Sequence, residues 1–295
     1  MSDFRQLINQ TFVFIKILKF MNKQSGKILV TGATGLVGSR LLRRLVESGY
    51  ECAALVRGKQ VTAGATAIEG DLFDTVSLEQ AVKDTIAIIH LAAVFRSADT
   101  DLIWKSNLDG TRNLINAVKK NAPGARFIMA STNHVYNIDN PHPGREDDAL
   151  NPQHAYPASK VAAENVLRES GLKWAVLRFP FVYGDGDGHL EELPKHVLAA
   201  NFHPAMRMST IHHRDIYTAM KMALDGKMDG RIVNISDEAP TSFYELLKIV
   251  GQPMASSSKP LTNPWYLHAD SSLARSLGFR PSVRTVYQAI EEKLL

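Results

Sequence analysis

The 295 residues carry 34 Lys and Arg against 30 Asp and Glu, a net charge of +4, and 45% of them are apolar. A chain of that length buries a full core without staples, and its single cysteine, Cys52, excludes an intrachain disulfide framework, so a reducing cytoplasm is the expected compartment. The basic residues are spread along the chain instead of gathered into a stripe, which argues against nucleic acid as a partner.

Residues 1–25 read as an N-terminal extension: the apolar stretch at 12–20 is broken by Lys16 and Lys19, is shorter than a membrane span, and has no small-residue cleavage site after it. Met21 is an alternative start, and no membrane partner is expected. From Lys27 short apolar runs alternate with helical stretches. A buried strand is expected at 28–30, then a helix at 35–48 with Leu36, Leu41, Leu42, Leu45 and Val46 at helical spacing, closed by Gly49. Strands follow at 52–56 and 86–91, with a helix at 76–83 between them. A long helix at 104–120 presents Leu108, Leu114, Ile115 and Val118 on one face. Strands at 126–130 and 174–178 flank a helix at 157–169. This order predicts an α/β fold, a Rossmann-type doubly wound parallel sheet over 26–180. After Pro180 the chain turns to short segments rich in Gly, Pro, His and Asp, with helices at 217–224 and 243–250 and a strand at 231–235. A smaller C-terminal substrate-binding lobe, 181–295, interleaved with the Rossmann core, is the expectation.

Thr31-Gly32-Ala33-Thr34-Gly35-Leu36-Val37-Gly38 joins the first strand to the first helix. Glycines there permit a tight turn and let backbone N–H groups approach a pyrophosphate at the helix N-terminus, where the dipole favours anions. At the end of the second strand the chain reads Leu55-Val56-Arg57-Gly58-Lys59. A carboxylate at that point accepts from a ribose 2′-OH, whereas Arg57, with or without Lys59, suits a 2′-phosphate, so NADP is favoured and NAD stays as the alternative. Tyr156-Pro157-Ala158-Ser159-Lys160 places a phenol and an ammonium four residues apart, on one side of a helix. A phenol titrates near pH 10, and a neighbouring cation is expected to lower that value, fitting Tyr156 to proton transfer.

The glycine loop and the Tyr-x-x-x-Lys string resemble the extended branch of the short-chain dehydrogenase/reductase superfamily, which carries TGAxGxxG and YxxxK. The likeness continues through Leu177-Arg178-Phe179-Pro180-Phe181-Val182-Tyr183-Gly184, similar to LRxxNVYG, through Ile211-His212-His213-Arg214-Asp215 and through Leu277-Gly278-Phe279-Arg280-Pro281. It implies an NAD(P)-dependent enzyme with the dinucleotide held by Gly32, Thr34, Gly35, Leu36, Val37 and Gly38. Asp71 and Leu72 are implied beside the adenine, and Leu91, Ala92, Ala93, Pro180 and Val182 along the cofactor. Lys160 is implied to hold the nicotinamide ribose, and Asn107 to support that lysine. Within Ala130-Ser131-Thr132-Asn133-His134-Val135-Tyr136, similar to a pattern SS[ST]xxVYG, Thr132 is the implied hydroxyl partner of the reacting oxygen, with Ser131 as the fallback. A homodimer through the helices at 104–120 and 157–169 is a further implication.

The substrate is left open. Phe181 stands where nucleotide-sugar epimerases carry an asparagine, which puts a nucleotide sugar in doubt. Asn133 and His134, with Arg207 as a carboxylate clamp, resemble uronate dehydrogenases, while Ala92-Ala93-Val94-Phe95-Arg96 is similar to a stretch in dihydroflavonol reductases. Net hydride transfer on a small hydroxyl or carbonyl compound leads; sugar epimerisation or dehydration is the enzyme alternative, and an NADP-sensing regulator the non-enzyme one. No metal is expected, because His196, His203, His212 and His213 match no common zinc spacing and Asp185-Gly186-Asp187-Gly188 lacks the later ligands of a calcium loop.

Overall fold

The computed structural model describes residues 26–58, 61 and 64–295, so the N-terminal extension and Lys59 lie outside the described residues. Six strands arise in the first part of the chain: β1 (Lys27–Thr31), β2 (Cys52–Val56), β3 (Thr66–Glu69), β4 (Thr85–His90), β5 (Arg126–Thr132) and β6 (Lys173–Phe179). Short strands β7 (Phe181–Tyr183), β8 (Arg207–Met208) and β9 (Thr210–His212) follow, before β10 (Arg231–Asn234) and β11 (Thr241–Ser242). Seven of these form one parallel sheet in the order β10-β6-β5-β4-β1-β2-β3. The order reverses between β1 and β4, and at such a switch point the connections leave a crevice at the carboxyl ends of the strands.

Alternation along the central strands builds two apolar layers. Ile28, Val30, Ala54 and Ile89 face α1 (Leu36–Glu47) through Leu41, Leu42 and Leu45, while Leu29, Ala53, Ile88 and Phe127 face the opposite side. There they meet Leu78 of α2 (Thr75–Val82). A short α3 (Thr100–Trp104) passes through a π turn at Lys105–Asp109 into α4 (Gly110–Asn121), whose Leu114 and Val118 join the same layer with Leu167 of α5 (Ala155–Arg168). The sequence pattern predicts one uninterrupted helix over 104–120; the π turn shifts the hydrogen-bond register without changing residue type, and Asn107 is buried within it.

Among the other elements that the sequence expectation lacks, two have a clear physical reason. β3 has no apolar pattern because Thr66, Ala67 and Glu69 are exposed on the sheet edge. Helix α6 (His189–Ala199) is hidden in the sequence by Gly188 before it and Pro194 within it. The segment after Pro180 does not stand apart: β10 pairs with β6 at the sheet edge, and α7 (His213–Leu224) packs Ile216, Ala219 and Met220 on the face that α1 covers. The remainder, including α6 and α8 (Phe243–Ile249), has its own core of Leu190, Leu193, Val197, Phe243, Leu246 and Leu247. Among the described residues no helix is long and apolar enough to cross a membrane, and no group of three or more His, Cys, Asp or Glu could hold a metal ion.

Candidate active site

The glycine loop closes the switch-point crevice at one side, and two of its glycines are fixed by steric need. Gly32 is in the left-handed region, φ +69, and a Cβ there would lie 2.6 Å from the Ala92 nitrogen. A Cβ on Gly38 would lie 2.0 Å from the Gly32 carbonyl oxygen, so α1 can pack on the loop only without a side chain at that point. Gly35, which heads α1 with no side-chain cap, has open space towards the crevice and only Gly32 O nearby, at 3.3 Å. The first-turn N–H groups of an uncapped helix are donors available to an anion.

On one side of this loop is a cavity of about 380 Å³, lined by Thr34, Arg57, Asp71, Leu72 and Ala92, with Gly32 and Gly35 shared with its neighbour. Arg57 is exposed there, and the Asp71 carboxylate accepts from the Phe73 N–H at 2.9 Å. On the other side is a cavity of about 340 Å³ that brings together Leu36, Val37, Gly38, Leu91, Ala93, Pro180 and Val182 with Thr132, Tyr156 and Lys160. The open space at Gly35, a basic side chain at one end and small apolar walls fit an extended dinucleotide running from one cavity into the other.

Tyr156 is in the first turn of α5, with Lys160 one turn later. Burial pushes the Tyr156 phenol up to about 12 and the Lys160 ammonium down to about 8, the latter partly restored by Glu164. Desolvation of the phenolate thus opposes the lowering that the sequence leads one to expect from the lysine. Thr132 ends β5, and its hydroxyl oxygen accepts from the His134 N–H at 3.2 Å. Ser131 is committed elsewhere, its hydroxyl donating to Glu164, which leaves Thr132 as the cavity-facing hydroxyl of the two without a carboxylate partner.

Two buried networks hold these groups. Asn107 accepts from the Val94 N–H at 2.7 Å and donates to the Val94 carbonyl and to Ser159 Oγ, both at 3.0 Å. Ser159 in turn donates to the Tyr156 carbonyl at 2.7 Å, so Asn107 ties the loop after β4 to the first turn of α5. Through Ser159 it reaches the Tyr156 backbone. Behind it the Thr111 hydroxyl donates to the Asn107 carbonyl at 2.6 Å and so accepts from His90 Nε2, at 2.8 Å. His90 Nδ1 must then accept from Thr31 Oγ1, at 2.6 Å, and burial holds this neutral imidazole down to about 3. In the second network Arg178 donates to Glu164 at 2.6 and 3.1 Å and to Tyr136 Oη at 3.0 Å, and Tyr136 donates to Asn234 at 2.7 Å. Arg178 and Glu164 are each about 1% exposed.

Of the residues expected at the substrate, His134 and Phe181 line the Tyr156 cavity, and Asn133 and Arg207 do not. Asn133 is buried in the turn after β5 and donates to the Leu267 carbonyl at 3.0 Å. Arg207 is exposed on β8, which pairs with β11, and it borders a separate cavity with His203 and Tyr244. The expected clamp is thus corrected: β8 directs it away from the crevice. The structure adds Phe95, Arg96 and His189, which the sequence reasoning left without a role.

A doubly wound sheet with a glycine loop at its switch point and a Tyr/Lys pair across the crevice defines an enzyme of the extended short-chain dehydrogenase/reductase type, dependent on a nicotinamide dinucleotide. The profile of the NAD dependent epimerase/dehydratase family matches residues 28–236, and the chain belongs to that family. It is similar to the UDP-N-acetyl-alpha-D-glucosaminuronate decarboxylase of Bacillus cytotoxicus, 28% identical over 273 residues that span 81% of this chain and 84% of the relative. It is also similar to the D-erythronate dehydrogenase of Cupriavidus necator, 32% identical over 177 residues, 52% of this chain and 55% of the relative. Among solved structures, a short-chain dehydrogenase/reductase superfamily protein from Agrobacterium tumefaciens with bound NAD superposes with a TM-score of 0.75 at 24% identity, covering 90% of this chain and 95% of that one.

Proposed function

We propose that this enzyme catalyses net hydride transfer between a nicotinamide dinucleotide, NADP by preference, and a hydroxyl or carbonyl carbon of a small molecule, with Tyr156 as the proton-transfer group. The observation that carries the reading is the placement of Thr132, Tyr156 and Lys160 in the cavity that the glycine loop borders. When bound, the dinucleotide supplies or takes up the hydride. The chain's own residues do the rest. In the reducing direction a protonated Tyr156 gives its phenolic proton to the carbonyl oxygen as that oxygen gains charge, and the Thr132 hydroxyl donates a hydrogen bond to the same oxygen. Lys160, one helical turn from Tyr156 and lining the same cavity, resupplies the phenolic proton and limits the charge left on Tyr156. Asn107 keeps Tyr156 in place through Ser159.

Arg57 at the end of β2 supports NADP, because its guanidinium borders the adenine-side cavity where a 2′-phosphate would need a cation. Net oxidoreduction is supported over nucleotide-sugar epimerisation by Phe181, which stacks on His189 with centroids 4.3 Å apart, and by a cavity of about 340 Å³, small for a nicotinamide and a nucleotide sugar together. The test is nicotinamide absorbance with a panel of hydroxyl and carbonyl compounds. Product is expected to form one for one with dinucleotide consumed, with NADPH favoured over NADH by about 10- to 100-fold and Arg57→Ala removing most of that preference. Product formed without net change in the dinucleotide, or an NADH preference, would overturn it.

A further inference from the structure

The loop that leaves β4 turns at Arg96 with φ +59, a left-handed conformation that long L side chains rarely adopt. The turn aims a cation at the Tyr156 cavity. Arg96 Nη2 donates to His189 Nε2 at 3.2 Å, and its guanidinium carbon is 4.8 Å from the centroid of the Phe95 ring, which itself contacts the Tyr156 ring at 4.7 Å. Strain at a non-glycine residue is kept where the surrounding structure over-determines it, and it clusters at functional sites.

His189 is locked into a single tautomer. Its Nδ1 donates to the Val182 carbonyl at 2.8 Å, so Nε2 can accept from Arg96 only if the ring is neutral. Burial, helped by the Arg96 charge, lowers its pKa. His134, lining the same cavity, is held down to about 4 by burial, with His154 and Arg96 contributing. Lys160 aside, Arg96 is the one cation lining this cavity, and among the described residues no carboxylate lies within ion-pair distance of it. Glu192, exposed on α6, acts on it only from a distance.

We infer that Arg96 is the residue that selects the substrate, and that the substrate carries a carboxylate: a small hydroxy acid or keto acid of the aldonate type. This rests on the hydride-transfer reading. One guanidinium, with the neutral His189 imidazole beside it and, among the described residues, no carboxylate paired to it, matches one negative charge, and a planar fork matches a carboxylate by paired hydrogen bonds. A diphosphate would need more cations and more room than the cavity offers. Arg96 and Tyr156 line the same cavity, so an acid held at Arg96 is placed to present its neighbouring carbinol or carbonyl carbon to the phenol.

The experiment measures calorimetric binding of short aldonates and of the matched neutral alditols to the enzyme saturated with NADPH, a combination that cannot react. Aldonate is expected to bind and alditol not. Arg96→Asn, which suits the left-handed turn, is expected to weaken aldonate by roughly 10- to 150-fold while the dinucleotide Kd stays within about twofold. Arg96→Lys, which keeps the charge and loses the fork, is expected to fall between. Alditol binding as tightly as aldonate, aldonate binding unchanged in Arg96→Asn, or no binding of any aldonate would each overturn the inference. The two readings fail separately: aldonate bound through Arg96 without hydride transfer to NADP sinks the hydride-transfer reading alone, whereas NADP reduction by a neutral alcohol in preference to any acid sinks only the carboxylate.

Discussion

Replacing Gly38 by alanine sets two effects of opposite sign against each other. Gly38 is the third residue of α1, where alanine normally gains about 1 kcal/mol over glycine. Its new methyl would lie 2.0 Å from Gly32 O, 2.8 Å from Gly32 C and 2.9 Å from Ala33 Cα, all of them backbone atoms that no rotamer change can move. Relief requires the loop to shift by more than an ångström, and the space beside Gly32 is limited, since a Cβ built there would lie 2.6 Å from the Ala92 nitrogen. Overpacking costs about 1–3 kcal/mol, and because only backbone atoms stand in the way the upper half of that range, about 2–3 kcal/mol, applies; less the helix gain, the net loss is about 1–2 kcal/mol and the melting temperature falls by about 2–8 °C. The loop shift also carries the N–H groups away from the pyrophosphate, weakening NADPH by about 10- to 100-fold. Gly35→Ala is the control. Its methyl meets only Gly32 O at 3.3 Å, so its melting temperature should stay near wild type while cofactor affinity falls, because Gly35 borders both cavities. Thermal unfolding and quenching of NADPH fluorescence measure both. Gly38→Ala melting at or above wild type with unchanged affinity would refute the steric argument.

His90 gives a pH dependence with a defined sign. Its folded pKa of about 3 is below the ordinary 6.5, so the unfolded chain binds more protons between those values. The stability His90 contributes is complete above pH 6.5 and is lost as pH falls towards 3, with a slope near 1.4 kcal/mol per pH unit inside that window. Urea titrations at successive pH values should show it, with a shallower slope in His90→Gln; equal stability at pH 7 and pH 5 would contradict the assignment. The Glu164–Arg178 pair should behave as a unit: Glu164→Leu alone strands a buried cation and costs about 3–5 kcal/mol, and Arg178→Met added to it recovers a large part. Additive losses in the double variant, read from the same titrations, would mean the two side chains act independently.

The central strands were legible because β1, β2, β4, β5 and β6 are buried on both faces and therefore leave continuous apolar runs in the sequence. β3 was not, since an exposed edge strand needs no apolar residue, and the π turn at Lys105–Asp109 was not, since it changes hydrogen-bond register alone. In the candidate site, Gly32, Gly35, Gly38, Tyr156 and Lys160 line one cavity, and their placement could be anticipated because each set falls within a few residues of chain, where spacing fixes geometry. Arg96 and His189 are 93 residues apart and meet only because the loop after β4 and the chain after β7 both emerge at the carboxyl end of the sheet. Arg207 shows the reverse error. Its neighbours in sequence resembled a substrate clamp, but pairing of β8 with β11 turns it elsewhere. The rise of the Tyr156 pKa was also invisible, because sequence shows that a cation is near and not how dry the phenol is.

The most direct measurement is Tyr156→Phe, which removes one oxygen and leaves the ring that Phe95 contacts. The account predicts nicotinamide dinucleotide bound with nearly wild-type affinity and hydride transfer slowed by about 10²- to 10⁴-fold in single-turnover absorbance traces. Turnover within tenfold of wild type, or a wild-type protein that binds neither NADPH nor NADH, would contradict it.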